Sequence, residues 1–166
     1  MISFKNIIIV LVVLISSYIG VLKSKVYINR ENEIKNFLNA LLILRNKIEY
    51  TNMILKDIFK EISEYIYKDN KNVFERVYRL DGNTRKNFEN EILKSEVFLD
   101  EDKSVILDFV RSLGKLDKLS QIKSIDICYN FLIKNLENAK EEKFKNVKMC
   151  KTLGIVIGLV IGIIFI

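Results

Sequence analysis

The sequence predicts an all-α protein, an antiparallel helical bundle set between an N-terminal and a C-terminal transmembrane helix. Three observations predict it. The 166 residues include no proline and only 6 glycines, so little interrupts long helices, whose interiors proline breaks and glycine weakens. Apolar residues make up 49% of the chain and gather in dense runs at its two ends. Between those runs they recur every three or four positions, the period of a helix with one face turned inward. No stretch alternates as a strand does, and the turn signals of a β-rich fold are missing. The length favours one domain, and composition divides the chain into 1–25 (N-terminal membrane helix and flank), 26–148 (helical bundle) and 149–166 (C-terminal membrane helix).

The first apolar run is Ile7 to Leu22, between Lys5 and the pair Lys23 and Lys25. A spanning helix needs roughly 17–25 apolar residues, which Phe4 to Leu22 supplies. A cleaved signal segment is the competing reading, since small Ser16 and Ser17 follow the apolar core, but the cleavage pattern is poor. The second run is Thr152 to Ile166, extended by Met149 to Lys151 if the lysine snorkels. Gly154, Gly158 and Gly162 recur every four residues along one face of it. Small residues at that spacing let two helix backbones approach closely. Basic residues crowd the inner flanks: Lys23, Lys25, Arg30 and Lys35 after the first run, and Lys140, Lys143, Lys145, Lys148 and Lys151 before the second. By the positive-inside rule the middle domain is cytoplasmic and both termini lie outside.

In the middle domain, Ile34, Phe37, Leu38, Leu41, Leu44 and Ile48 predict one helix face, and Leu55, Ile58, Phe59, Ile62 and Ile66 the next. The break around Tyr50 to Asn52 is weak, so a bent helix and a hairpin both fit. Asp69 to Asn72 reads as a polar turn, followed by a short helix carrying Val73, Phe74, Val77 and Tyr78. Asp81-Gly82-Asn83 is a second turn, with Thr84 expected to cap a helix bearing Phe88, Ile92 and Leu93. Asp100, Glu101 and Asp102 suit the positive N-terminal end of the following helix, whose face is Val105, Ile106, Phe109, Val110 and Leu113. Gly114 is expected to end it and Asp117 to cap the last helix. That helix carries the stripe Ile122, Ile125, Tyr129, Leu132, Leu136 and Ala139, and runs on through the charged stretch 140–148 into the membrane segment. Phe37, Phe59, Phe74, Phe88, Phe109 and Tyr129 read as core rather than as a stacking platform.

Several function classes find no support. The chain has no histidine, which removes the commonest general base and neutral metal ligand. Cys128 and Cys150 are too far apart in sequence for a zinc-type pair and suggest two reduced thiols. No phosphate-binding glycine loop or nucleophile elbow is present. The net charge of +6 is interspersed with acids and carries no nucleic-acid recognition fingerprint. Glu137, Glu141 and Glu142 alternate with lysines as a solvated, ion-paired face does. Asp100 to Asp102 read as a charged helix start rather than a metal site. The expectation is a protein without cofactor, metal or small-molecule substrate that acts through contacts.

One stretch makes a family resemblance visible. Leu113 to Lys123, LGKLDKLSQIK, resembles the LG-x-x-D-x-x-x-Q segment of the stage III sporulation protein AB family, carried here by Leu113, Gly114, Asp117 and Gln121. Leu153, Gly154, Gly158 and Leu159 are similar to that family's closing membrane segment, and Leu41, Leu44, Ile48, Tyr50 and Leu55 to its early helix pair. Lys47 stands where the family usually has an acid, and Ile54 where it usually has a proline. The resemblance implies a non-enzymatic role in endospore formation. The implied part is a platform subunit, similar to the inner-membrane platform of type II secretion systems, in a complex linking mother cell and forespore. It implies a cell-membrane location on the mother-cell side of the forespore outer membrane. Its implied partners are a secretion-type ATPase and other membrane subunits. Gly114, Asp117 and Gln121 are then a partner-binding or structural turn, with Gln121, one position late for a reciprocal cap, expected to reach beyond it. Without the resemblance, the residues fit a membrane-tethered helical adaptor or scaffold equally well.

Overall fold

The computed structural model describes the backbone of residues 4–66 and 72–164, with side chains of the first helix from residue 10 onward. Those residues form six helices and no strand: α1 (Phe4–Tyr50), α2 (Leu55–Ile66), α3 (Val73–Arg79), α4 (Thr84–Lys94), α5 (Asp100–Ser112) and α6 (Lys118–Ile164). The helical bundle of the sequence reading is therefore the observed fold. Two compact units divide the chain, Asn32–Leu136 and the pair Met1–Glu31 with Glu137–Ile166. This division falls inside the charged flanks rather than at the ends of the apolar runs, because α1 and α6 stay paired through those flanks.

The unit Asn32–Leu136 is a bundle around phenylalanines. Phe37, Phe59, Phe74, Phe88 and Phe109 are fully buried, as expected. Phe59 meets Phe88 edge-on with centroids 4.9 Å apart, and meets Phe74 edge-on at 5.3 Å. Such offset and edge contacts add to the burial of each ring. The weak break after α1 is a hairpin. The hydroxyl of Thr51 donates to the Lys47 carbonyl at 2.6 Å, and α2 returns beside α1, where Glu61 forms an ion pair with Lys47.

Several expectations shift by a residue. Asn83, not Thr84, caps α4; its side chain accepts the Lys86 N–H at 3.0 Å, which makes Thr84 the first helical residue. Gly82 has φ +96°, a conformation that suits glycine. Leu93 is 52% exposed, because it falls one step past the buried face of Ile92. Leu107 and Phe98 are buried instead and were not foreseen. On α6 the buried line is Ile125, Cys128, Leu132 and Ala139, with Ile122, Tyr129 and Leu136 flanking it half-buried. Of the turn expected at Asp69 to Asn72, only Asn72 is among the described residues; it caps α3 by accepting the Glu75 N–H at 2.8 Å.

Polar groups inside this unit are partnered. Asp102 is fully buried; it accepts the Leu99 N–H at 3.1 Å and the Asn135 amide at 2.8 Å, joining the start of α5 to α6. Glu91 accepts from Arg76 at 2.5 Å and Glu75 from Ser63 at 2.8 Å.

In the other unit, α1 and α6 run antiparallel. Val13 lies against Gly158, Gly20 against Cys150 and Gly154, and Arg30 against Glu142. Both helices contain stretches long and apolar enough to cross a membrane, and only 11% and 17% of those stretches is buried by the protein itself.

Candidate functional site

The turn joining α5 to α6 brings Gly114, Asp117 and Gln121 together. Leu113 closes α5, and Gly114 takes φ +70°, the left-handed conformation that glycine adopts without a Cβ penalty. The Asp117 carboxylate accepts the Ser120 N–H at 3.1 Å and its carbonyl accepts the Gln121 N–H at 2.9 Å, the geometry of an N-cap. The hydrogen bonds from Ser120 hold the Asp117 carboxyl below its ordinary value. Gln121 does not reach beyond the turn. Its amide nitrogen donates to the Leu116 carbonyl at 2.8 Å and its amide oxygen accepts the Gly114 N–H at 3.3 Å. One side chain thus closes the loop from both ends, which explains a glutamine one position late for a reciprocal cap. A cleft of about 290 Å³ adjoins the turn, lined by Gly114, Lys118 and Gln121 on one side and by Thr51, Met53 and Leu55 of the α1–α2 hairpin on the other.

The second candidate is the seam between α1 and α6. Gly154, Gly158 and Gly162 are all buried. A Cβ added at Gly154 would stand 2.9 Å from the Ser16 carbonyl oxygen, and one at Gly158 would stand 2.8 Å from the Val13 Cα. The obstructing atoms are backbone, so they cannot swing aside. Glycine is required here by the close approach of two helices. The residues of α1 that answer these glycines were missed. Gly20 would place a Cβ 2.6 Å from the Cys150 carbonyl oxygen, and Ser16 donates to the Gly154 carbonyl at 2.5 Å. The signal was present in the sequence: Ser16, Gly20 and Ser24 recur every four residues, as the glycines of α6 do.

An ion-pair layer adjoins the seam. Arg30, 4% exposed, meets Glu142 at 2.6 Å, and Glu31, also 4% exposed, meets Lys143 at 2.7 Å. The stretch expected to be a solvated face is only partly one. Glu142 and Lys143 are committed to α1, while Glu141 and Lys145 remain outside with a long contact of 4.0 Å. Arg30 and Glu31 are buried while Glu142 and Lys143 are part exposed, so removing either partner on α6 would strand a buried charge on α1, which favours this register of the two helices.

The chain from residue 5 to 166 matches the family model described as stage III sporulation protein AB. The chain belongs to that family. No curated protein and no solved structure matches it. Membership assigns it to stage III of sporulation, in a family not known for enzymes. Lys47 forms an ion pair with Glu61 of α2. Among the described residues no group of three potential ligands converges on a metal position. Cys128 is buried, and burial, with Asp108 nearby, pushes its thiol up to about 12. It is therefore protonated and inert in the folded protein.

Proposed function

We propose that this stage III sporulation protein AB family member is a non-enzymatic membrane platform subunit of a secretion-like channel complex between mother cell and forespore. The observation that carries the proposal is the helix pair. α1 and α6 are locked to each other by glycine contacts, yet their remaining apolar faces, such as Val10, Leu14, Ile155 and Val160, are uncovered by the protein. A surface of that size suits a bilayer and neighbouring membrane helices. The basic flanks support a cytoplasmic bundle by the positive-inside rule, and membership of a stage III sporulation family supports a location on the mother-cell side of the forespore outer membrane.

In this reading the bundle contacts a secretion-type ATPase and the membrane helices contact other channel subunits. The cleft beside Gly114 and Gln121 is the ATPase-facing site, because it offers an apolar floor (Met53, Leu55, Ile58) with a lysine at its edge. A few apolar anchors ringed by charge are the usual makings of a protein contact. The test is a pull-down of the tagged full chain from sporulating cells. A secretion-type ATPase should be recovered, and Met53→Asp should reduce that recovery about tenfold or more while the melting temperature stays within the range of a surface substitution. Recovery of cell-division proteins instead, or equal expression outside sporulation, would make the chain a membrane-tethered adaptor rather than a channel platform.

A further inference from the structure

One face of α6 is left with charge that the protein does not use. Lys140, Phe144, Lys148 and Lys151 follow one another at spacings of four, four and three, so they share a helix face. Of the acids nearby, Glu142 pairs with Arg30, Glu31 with Lys143 and Glu141, at 4.0 Å, with Lys145; Glu137, one turn before Lys140, is exposed at the end of this face farthest from the apolar run. Lys140, Lys148 and Lys151 have no ion pair or hydrogen bond among the described residues. Phe144, in their midst, is 85% exposed. The same residues, with Met149 and Leu153, line a groove of about 1150 Å³ that leads from the charged stretch to the start of the apolar run.

We propose that this groove binds anionic phospholipid headgroups, with the three lysines meeting the phosphates and Phe144 entering the acyl boundary beside them. The inference rests on the membrane-spanning reading above. Phe144 stands seven residues before Lys151, about 10 Å along the helix, which is within reach of the headgroup layer once the lysine stems snorkel. An aromatic ring in a lysine-framed stripe beside a spanning helix gains on both counts: its body leaves water, and each lysine near an anionic surface adds about fivefold in binding. The pairing of the neighbouring charges leaves this face cationic, so the occupant it selects is anionic rather than zwitterionic lipid.

The chain has no tryptophan, so Phe144→Trp gives it a single fluorescent reporter. The full chain is reconstituted in phosphatidylcholine vesicles holding a fixed fraction of brominated phosphatidylglycerol or, separately, brominated phosphatidylcholine. Quenching by the anionic lipid should exceed that by the zwitterionic lipid about threefold or more at low salt. The excess should vanish at 1 M salt, where the screening length is about 3 Å. It should also vanish when Lys140, Lys148 and Lys151 are all changed to Gln, and survive when Lys86, Lys115 and Lys123, exposed lysines of the bundle, are changed instead. Equal quenching by the two lipids overturns the proposal, as does an excess that the Lys140, Lys148 and Lys151 changes leave intact. Quenching by aqueous iodide and by neither lipid also overturns it, since the ring then stays in water. A separate Ile157→Trp chain separates the two failures. If its tryptophan is not quenched by either brominated lipid, the membrane reading fails and this inference with it. If it is quenched while the residue 144 reporter shows no preference, only the lipid inference fails.

Discussion

The bundle Asn32–Leu136 and the paired ends of α1 and α6 are both antiparallel helix packings, but they are held together by opposite kinds of residue. The bundle buries large side chains, five of them phenylalanines with no exposure above 2%. The paired ends bury glycine and serine and turn their isoleucines, leucines and valines outward. In water the driving force is removal of apolar surface, so the large residues go inside. In a bilayer that force between helices is absent, and close backbone contact takes its place. With the paired ends in a membrane, as proposed above, each unit has the packing its solvent favours.

This contrast can be broken most severely in the bundle. Phe59→Ala should lower unfolding stability by about 3–5 kcal/mol, the usual loss for a buried phenylalanine. Thermal denaturation of the full chain in detergent, followed by circular dichroism, reads it. A small loss would mean that Phe59 does not sit in a packed core. Gly158→Leu should act on the other unit alone. It should widen and broaden the distance between spin labels at Val26 and Phe144, because no rotamer removes the new Cβ from the Val13 backbone. The melting of the bundle should change little. An unaltered distance would show that the helix pair tolerates side chains on its seam.

Acid should loosen the bundle through Glu91 and Glu75. Burial pushes the Glu91 carboxyl up, but the hydrogen bond and charge of Arg76, with Lys94, outweigh it, and the net direction is down. Ser63 and Arg79 hold Glu75 down as well. A carboxyl held low in the folded state stabilises it at pH above the unfolded value, and that contribution is lost as pH falls through the folded one. The melting temperature should therefore decline below the ordinary glutamate value of 4.5, and decline less steeply in an Arg76→Gln, Arg79→Gln chain. A parallel decline in that chain would contradict these pairings.

The smallest changes are expected at the α5–α6 turn. Asp117→Ala should cost about 0.5–2 kcal/mol through the lost cap. Gln121→Ala should cost about 0.5–1.5 kcal/mol for its loop hydrogen bonds, toward the low end because they are exposed. A Gln121→Ala chain with unchanged melting would mean that the glutamine is not holding the turn.

The bundle was readable because its signals are local. The spacing of Phe37, Phe59, Phe74 and Phe88 named the core, and the glycine at 114 named the end of α5. Residues outside the periodic stripe were not readable. Phe98 lies between helices, where no period flags it, and Asp102 looked like one of three interchangeable acids until Asn135 was seen to meet it. Arg30 read as a topology charge and Glu31 was given no role, since their partners Glu142 and Lys143 are more than a hundred positions away. The loop-closing contacts of Gln121 were hidden for the opposite reason. Its partners, Gly114 and Leu116, are so close in sequence that only the loop's path shows the amide closing it.

Cysteine labelling in whole cells bears most directly on the arrangement of the two regions. Cys128 cannot report it, because its thiol is buried and held protonated. Lys115→Cys in a Cys150→Ser chain puts a thiol on the exposed α5–α6 turn. A membrane-impermeant maleimide should leave that chain unlabelled on intact sporulating cells and label it on lysis. Labelling on intact cells would place the bundle outside and contradict a cytoplasmic platform between two membrane helices.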